Sequence, residues 1–184
     1  MRKVILGFTM SLDGFINDRN ESVADLYHDL DTLRYAEPLR ESIQDTGAVV
    51  MGRKTLATGD PDAYAGNYEY QVPIFVVTKN PPRLQPKQTD QLTFTFVTDG
   101  VESAIQQAKV AVGDKDVTIV GGAKNASQCL NAKLVDEIHM DIMPVLLGNG
   151  LRPFEHIDEG SIKLEKMSVL ETSVRTHLKF RIIK

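Results

Sequence analysis

Three stretches of this sequence set glycine beside cationic or hydroxyl side chains in the manner of a phosphate site. The first, GAVVMGRKT (47–55), lies one inserted arginine away from the pattern G-x-x-x-x-G-K-[ST]. That pattern works because its middle residues form an open loop whose N–H groups wrap a phosphate ahead of a helix. Here the middle residues are Ala-Val-Val-Met, an apolar, partly β-branched run that reads as a short buried strand. The stretch therefore delivers Gly52, Arg53, Lys54 and Thr55 at the carboxyl end of a strand, where open α/β sheets bind ligands. Gly52 permits a sharp turn, and Thr55 is expected to cap the helix that follows, leaving amides free for a phosphate. Thr78 and Lys79 end a second apolar run in the same way, so three cationic side chains converge on one polyanion. Gly121 and Gly122 follow a third run and precede a helix, bringing bare backbone and a helix amino end to the same edge. This is not the G-x-G-x-x-G fingerprint, because the third glycine is absent.

The elements that must position these groups follow from the apolar pattern. Runs at 3–10, 48–52, 73–78, 93–98 and 117–120 are rich in Val, Ile and Phe without clean alternation, as parallel strands buried on both faces are. Helical spacing lies between them. Leu26, Leu30 and Leu33 predict one helix capped by Ser22 with Asp25 three residues on. Asp99 and Glu102 predict another running through Ala104, Ile105, Ala108 and Val112, and a third carries Ala126, Cys129 and Leu130. Strand and helix in alternation predict a wound α/β sheet. The end of the chain changes period. Residues 137–145 and 173–182 alternate, the latter with Val174, Thr176, Leu178, Phe180 and Ile182 on an apolar face and Arg175, His177, Lys179 and Arg181 on a polar one. These predict antiparallel strands closing the sheet, with a further strand around Ile162 to Glu165. The three prolines of 80–90 mark a surface connection.

The 184 residues, 42% of them hydrophobic, suffice for one domain over 1–184. A net charge of −4, from 21 basic and 25 acidic residues, argues against a nucleic-acid or anionic-membrane binder, so a cationic cluster serves a small anion. The lone Cys129 excludes an internal disulfide and fits a reducing, cytoplasmic compartment, with the thiol as a small buried hydrophobe. The opening MRKVILGFTMSLDGFI resembles a secretion signal only until Asp13 interrupts it, and is expected to be the first strand. No run approaches the length of about 20 apolar residues that spans a bilayer. His28, His139, His156 and His177 have no metal-binding spacing, and Ser11, Ser127 and Cys129 lack a nucleophile elbow.

In order along the chain, SLDGFI (11–16), VVMGRKT (49–55), FVVTKN (75–80), TIVGGA (118–123) and LVDEIHMDIMPVLLGNG (134–150) resemble the dihydrofolate reductase superfamily. The resemblance is closest to the branch that contains the reductase domain of riboflavin biosynthesis, and covers nearly the whole chain. It implies a dihydrofolate reductase-like α/β fold, with a mostly parallel sheet closed by antiparallel C-terminal strands and helices on both faces. It also implies NADPH as cofactor. Gly121, Gly122 and Ala123 would lie under its pyrophosphate and nicotinamide side, often with a cis Gly-Gly bond. Arg53, Lys79 and Lys124 would hold the 2′-phosphate with Lys54 and Gly52 beside them, and Thr55 and Thr78 would bond phosphates or ribose. Asp13 and Gly14 would approach nicotinamide and substrate. Reduction of a C=N bond also needs a proton, which a carboxylate of raised pKa can supply. The candidates are Asp13 and Glu37, with Asp25 as a third.

The sequence departs from its relatives on the substrate side. Dihydrofolate reductases carry a pterin-binding carboxylate where this chain has Ala36, with Glu37 adjacent. Riboflavin-pathway reductases carry a lysine where it has Gly7, for which Lys3 or another cation would have to substitute. The expectation is an NADPH-dependent reductase of a small pteridine- or pyrimidine-like C=N or C=O compound. The alternatives are a non-catalytic nucleotide-binding protein of the same fold and a genuine 5-amino-6-(5-phosphoribosylamino)uracil reductase. The resemblance further implies a homodimer, with 138–147 as the contact.

Overall fold

The protein, as a computed structural model, is described for residues 2–158, 160 and 162–183. Its strands are β1 (Val4–Ser11), β2 (Thr46–Gly52), β3 (Ile74–Val77), β4 (Phe94–Val97), β5 (Asp116–Val120), β6 (Glu137–Met143), β7 (Leu164–Glu171) and β8 (Thr176–Ile182). They form one eight-stranded sheet in the order β4-β3-β2-β5-β1-β6-β8-β7. The pairings from β4 across to β6 are parallel, and β8 and β7 add antiparallel. The opening segment thus supplies a central strand, β1, between β5 and β6.

Helices cover both faces. On one, α5 (Val101–Ala111) and α6 (Ala123–Asn131) bury Val101, Ala104, Ile105, Ala108, Ala126, Cys129 and Leu130 against Val4, Leu6, Val50 and Ile119. Burial pushes the Cys129 thiol up to about 12, so it behaves as the small hydrophobe its helical position predicts. On the other face, α2 (Glu37–Asp45), α3 (Arg53–Leu56) and α4 (Tyr64–Asn67) supply Ile43, Leu56 and Tyr64 to a second core around Val49, Met51, Ile74 and Val76.

Four local expectations are corrected. The 22–33 helix is broken into a 3-10 turn, Ala24–Leu26, and a single turn α1 (Leu30–Leu33), with Asp29 at the junction capping α1 through its carbonyl and meeting Arg175 through its carboxylate. Asp99 and Glu102 form no capping box; Gly100 caps α5 in a left-handed conformation, φ 114°. Thr55 lies inside α3 and does not cap it. Most consequential, the side of β8 expected to face water is the buried one at its start: Arg175 is 1% exposed and His177 4%. The strand β6 lies between β1 and β8, with Ile138 and Met143 buried and Leu146 beyond its end exposed.

The buried Arg175 ties four segments together. Its Nε and Nη2 donate to Asp29, its Nη1 to Asp141 and Thr9, and its Nη2 also to the Leu26 carbonyl. All five N–H bonds of the guanidinium are used. Burial alone would push the Asp29 carboxyl up, but the hydrogen bonds and charge of Arg175 outweigh it and hold the carboxyl below its ordinary value.

Two outcomes follow from this packing. A Cβ at Gly47 would lie 2.7 Å from that of Lys115 and 2.8 Å from that of Val112, so Gly47→Ala should cost about 1–3 kcal/mol in urea unfolding. Arg175→Met strands two carboxylates and should cost about 3–5 kcal/mol near neutral pH. Because the folded Asp29 pKa is depressed, its contribution is present above the unfolded value of about 3.9 and lost as pH falls through the folded value. In Arg175→Met burial acts alone and raises that pKa, so the deficit should shrink as pH is lowered toward about 4, and a deficit constant with pH would count against this account.

Candidate active site

The parallel strands all run in one direction, so their carboxyl ends share one edge of the sheet. Gly52 pairs with Val77, which sets Arg53 beside Thr78, and Met51 pairs with Val120, which sets Gly52 beside Gly121. The glycine pair and the Gly52-Arg53 and Thr78-Lys79 stretches therefore lie on adjacent strand ends, β5, β2 and β3. The edge is not level: β1 pairs with β5 only as far as Gly7 but with β6 as far as Ser11. Beyond Val120 the chain turns away and leaves a notch beside the last residues of β1, floored by Gly121 and Gly122.

That floor demands glycine. Gly121 and Gly122 have φ of 65° and 72°, and a Cβ on Gly121 would sit 2.7 Å from Thr55 Cγ2. The bond between them is trans. Thr55 thus packs against the glycine turn, joining α3 to the start of α6. A Cβ on Gly52 would lie 2.9 Å from Asn125 Nδ2. Asn125 is 9% exposed, and its Nδ2 is buried without a hydrogen-bond partner. Leaving such a donor unmade costs about 1–3 kcal/mol, so this amide is poised for an acceptor that enters at the α6 amino end. Sequence reading missed it, although an asparagine on the apolar stripe of Ala126, Cys129 and Leu130 was a signal.

The cations divide. Arg53, Lys79 and Lys124 are exposed at the three strand ends, whereas Lys54 turns to Glu21 with Nζ 2.9 Å from Oε1. Thr78 spends its hydroxyl on its own turn, donating to the Asn80 carbonyl and accepting from the Asn80 amide. Ala123 is buried in the first turn of α6.

On the other side of the notch, the loop after β1 is closed by Asp13. Its carboxylate accepts from Ser11 Oγ at 2.6 Å and from the amides of Leu147 and Gly148 at 3.1 and 2.7 Å. The Ser11 bond foremost, opposed by desolvation and aided by the two amides, holds the Asp13 pKa below its ordinary value. The shift runs opposite to the one expected of a proton donor, and Asp13 acts in the structure as a latch between the loops after β1 and β6. Gly150, bridged to Asp18, extends the same latch. Asp25 is exposed at a shallow hollow with Asn20, Leu147 and Gly148. Glu37 is exposed at the first position of α2, one turn beyond Glu41, which holds Lys179 at 2.9 Å. Asp13, Asp25 and Glu37 are not brought together by any hydrogen bond among the described residues.

What the face beside the notch does hold is a row of polar groups across β1, β6 and β8: Thr9 opposite Asp141, opposite His177. Arg175 lies over this row, with the Tyr27 ring 5.8 Å from its guanidinium carbon. No sequence signal pairs Arg175 with Asp29, which stands 146 positions away.

Comparison with known proteins agrees with this architecture. The chain is 28% identical over 163 residues to YyaP, an uncharacterised protein of Bacillus subtilis (strain 168), covering 81% of this chain and 78% of that one. Its fold matches a putative riboflavin biosynthesis protein from Shewanella sp. PV-4 with a TM-score of 0.80, at 20% identity and 99% coverage of both chains. It also matches dihydrofolate reductase from Enterococcus faecalis complexed with NADP(H), with a TM-score of 0.59, 14% identity, and coverage of 99% of this chain and 97% of that one. The fold is dihydrofolate reductase-like, as the five ordered motifs imply. The RibD C-terminal domain model matches residues 2–178, and the chain belongs to that family of reductase-fold domains.

Proposed function

We propose that this protein is an NADPH-dependent reductase that transfers hydride to a small conjugated C=N or C=O compound, pteridine- or pyrimidine-like in its ring. The observation that carries the reading is the glycine-floored notch with a buried, unpartnered Asn125 Nδ2 at its α6 end. A phosphate there would take the Asn125 amide and the first N–H groups of α6, with Gly52, Gly121 and Gly122 allowing close approach. Arg53, Lys79 and Lys124 supply the charge for a further phosphate, and Thr55 borders the same turn. Bound there, a dihydronicotinamide supplies the hydride. The protein's part is to hold the acceptor against the end of β1 and exclude water.

The genuine riboflavin-pathway activity finds less support. Lys3, the cation that would substitute at that site, lies at the amino ends of the strands with its Nζ 3.1 Å from Glu137 Oε1, away from the notch.

Calorimetric titration tests the cofactor reading. NADPH should bind at least tenfold tighter than NADH, about 1.4 kcal/mol, and Arg53→Ala and Lys79→Ala should erase that preference. Asn125→Asp, which sets a carboxylate where the donor was, should weaken both dinucleotides tenfold or more with unfolding unchanged. Absence of binding by either dinucleotide would leave the fold without the cofactor and favour the non-enzymatic alternative.

A further inference from the structure

The turn between α4 and β3 presents a carboxyl that nothing else in the molecule employs. An aromatic ladder builds the turn, with ring centroids 4.7 Å apart for Tyr64 and Tyr68 and 5.6 Å apart for Tyr68 and Tyr70. Gln71 clamps it: Nε2 donates to the Tyr64 and Tyr68 carbonyls at 3.0 and 2.7 Å, and Oε1 accepts from the Gly66 amide at 3.1 Å. Tyr70 Oη lies 2.8 Å from Ser42 Oγ of α2. The ladder draws Tyr70 into the core and leaves Glu69 exposed. Among the described residues its carboxyl has no ion pair and no hydrogen bond to another side chain. Surrounding protein still desolvates it enough to push its pKa up, with the charge of Arg34 opposing. An exposed carboxyl that feels desolvation stands at the wall of a recess, not on an open surface. That recess adjoins the acceptor side of the notch. Glu69 is close enough to Tyr27 for its charge to add to the desolvation that raises the half-buried phenol. Tyr27 in turn sits in the segment that Arg175 ties down through Leu26 and Asp29, its hydroxyl beside Thr9 near the end of β1.

Resting on the reductase reading above, we propose that Glu69 and Tyr27 line the acceptor subsite, and that the Glu69 carboxyl grips the edge of the ring with one hydrogen bond given and one accepted. The ligand class is an uncharged heterocycle with an N–H beside a carbonyl or an imine nitrogen, the edge that pteridine- and pyrimidine-like rings carry. A carboxylic acid matches such an edge, O–H to the ring acceptor and C=O to the ring N–H, whereas a carboxylate has two acceptors and no donor. Tyr27 supplies a flat apolar wall with a polar tip. The grip is therefore present below the pKa of Glu69 in the folded protein and lost as pH rises through it. The groups that face Glu69 are Arg34 and the phenols of Tyr27, Tyr64, Tyr68 and Tyr70, with Asp141 beyond Tyr27 and Tyr70. Phenols and guanidinium do not titrate between about pH 5 and 7, so over that range the pH dependence belongs to the carboxyls.

The probe is lumazine, an uncharged pteridine whose ring carries N–H groups beside carbonyls, and its fluorescence reports binding to the apo protein between about pH 5 and 7. Affinity should fall as pH rises. Glu69→Ala should bind at least about tenfold more weakly at the low end of that range, for two hydrogen bonds lost. Glu69→Gln keeps one donor and one acceptor, so it should stay within about threefold of the parent there and lose the pH dependence. Tyr27→Leu should weaken the probe about fivefold. Melting temperature and NADPH affinity should be unchanged in both Glu69 variants, since that side chain is exposed and away from the glycine floor. The proposal is overturned if lumazine does not bind, if Glu69→Ala binds it as the parent does, or if Glu69→Gln loses as much as Glu69→Ala or keeps the parent's pH dependence. Lumazine bound by a protein that takes no NADPH would sink the reductase reading and leave the subsite standing.

Discussion

One guanidinium sets the geometry on which the substrate side depends. Arg175 enters the sheet just before β8 and donates to side chains of β1 and β6 and to the Leu26–Asp29 segment. A buried arginine is tolerated only when its charge is balanced and its donors filled, and here two carboxylates and two neutral oxygens meet both needs. The consequence is positional. The irregular 22–33 segment has little regular structure of its own, and Asp29 draws it onto the sheet at one place.

The second constraint is the register of the parallel strands. Because β5 stops opposite Gly7 while β6 continues to Ser11, the edge has a step, and because β2 and β3 end at matched positions, the flanking cations fall in line. A notch of this kind follows from strand length alone and needs no special loop. Glycine at 121 and 122 then keeps the step open, since a side chain on Gly121 would collide with Thr55. One buried donor, Asn125 Nδ2, remains unspent beside it.

Much of this was legible in the residues. Five of the six parallel strands were readable because burial on both faces leaves unbroken apolar runs, whereas β6, expected from its alternation to be an antiparallel closing strand, pairs parallel with β1; α5 and α6 were readable because Ala104, Ile105 and Ala108, or Ala126, Cys129 and Leu130, recur at helical spacing. The clustering of Gly52, Arg53, Thr78, Lys79, Gly121 and Gly122 on one edge was readable because glycine and cations follow strand ends. What failed has a common cause. Alternation along β8 identified two faces but not which one is covered, and long-range pairing decided that Arg175 and His177 go inward. The same pairing holds the Asp29 carboxylate at the break in the helix that the leucine spacing predicted. Asp13 was found as a loop residue, yet its role as a latch depends on amides 134 and 135 positions away.

Charge sorts the two flanks of the notch. On the β5–β2–β3 side Arg53, Lys79 and Lys124 stand exposed, an arrangement that a protein of net charge −4 does not reach by general basicity. On the β1–β6–β8 side the buried inventory is one guanidinium against the carboxylates of Asp29 and Asp141. Two carboxylates face that one guanidinium, whose N–H groups are already filled. A phosphate or carboxylate laid there would meet repulsion with no free arginine donor to offset it. The step in the sheet thus separates a flank of exposed cations from a flank whose one buried guanidinium is already spent on carboxylates.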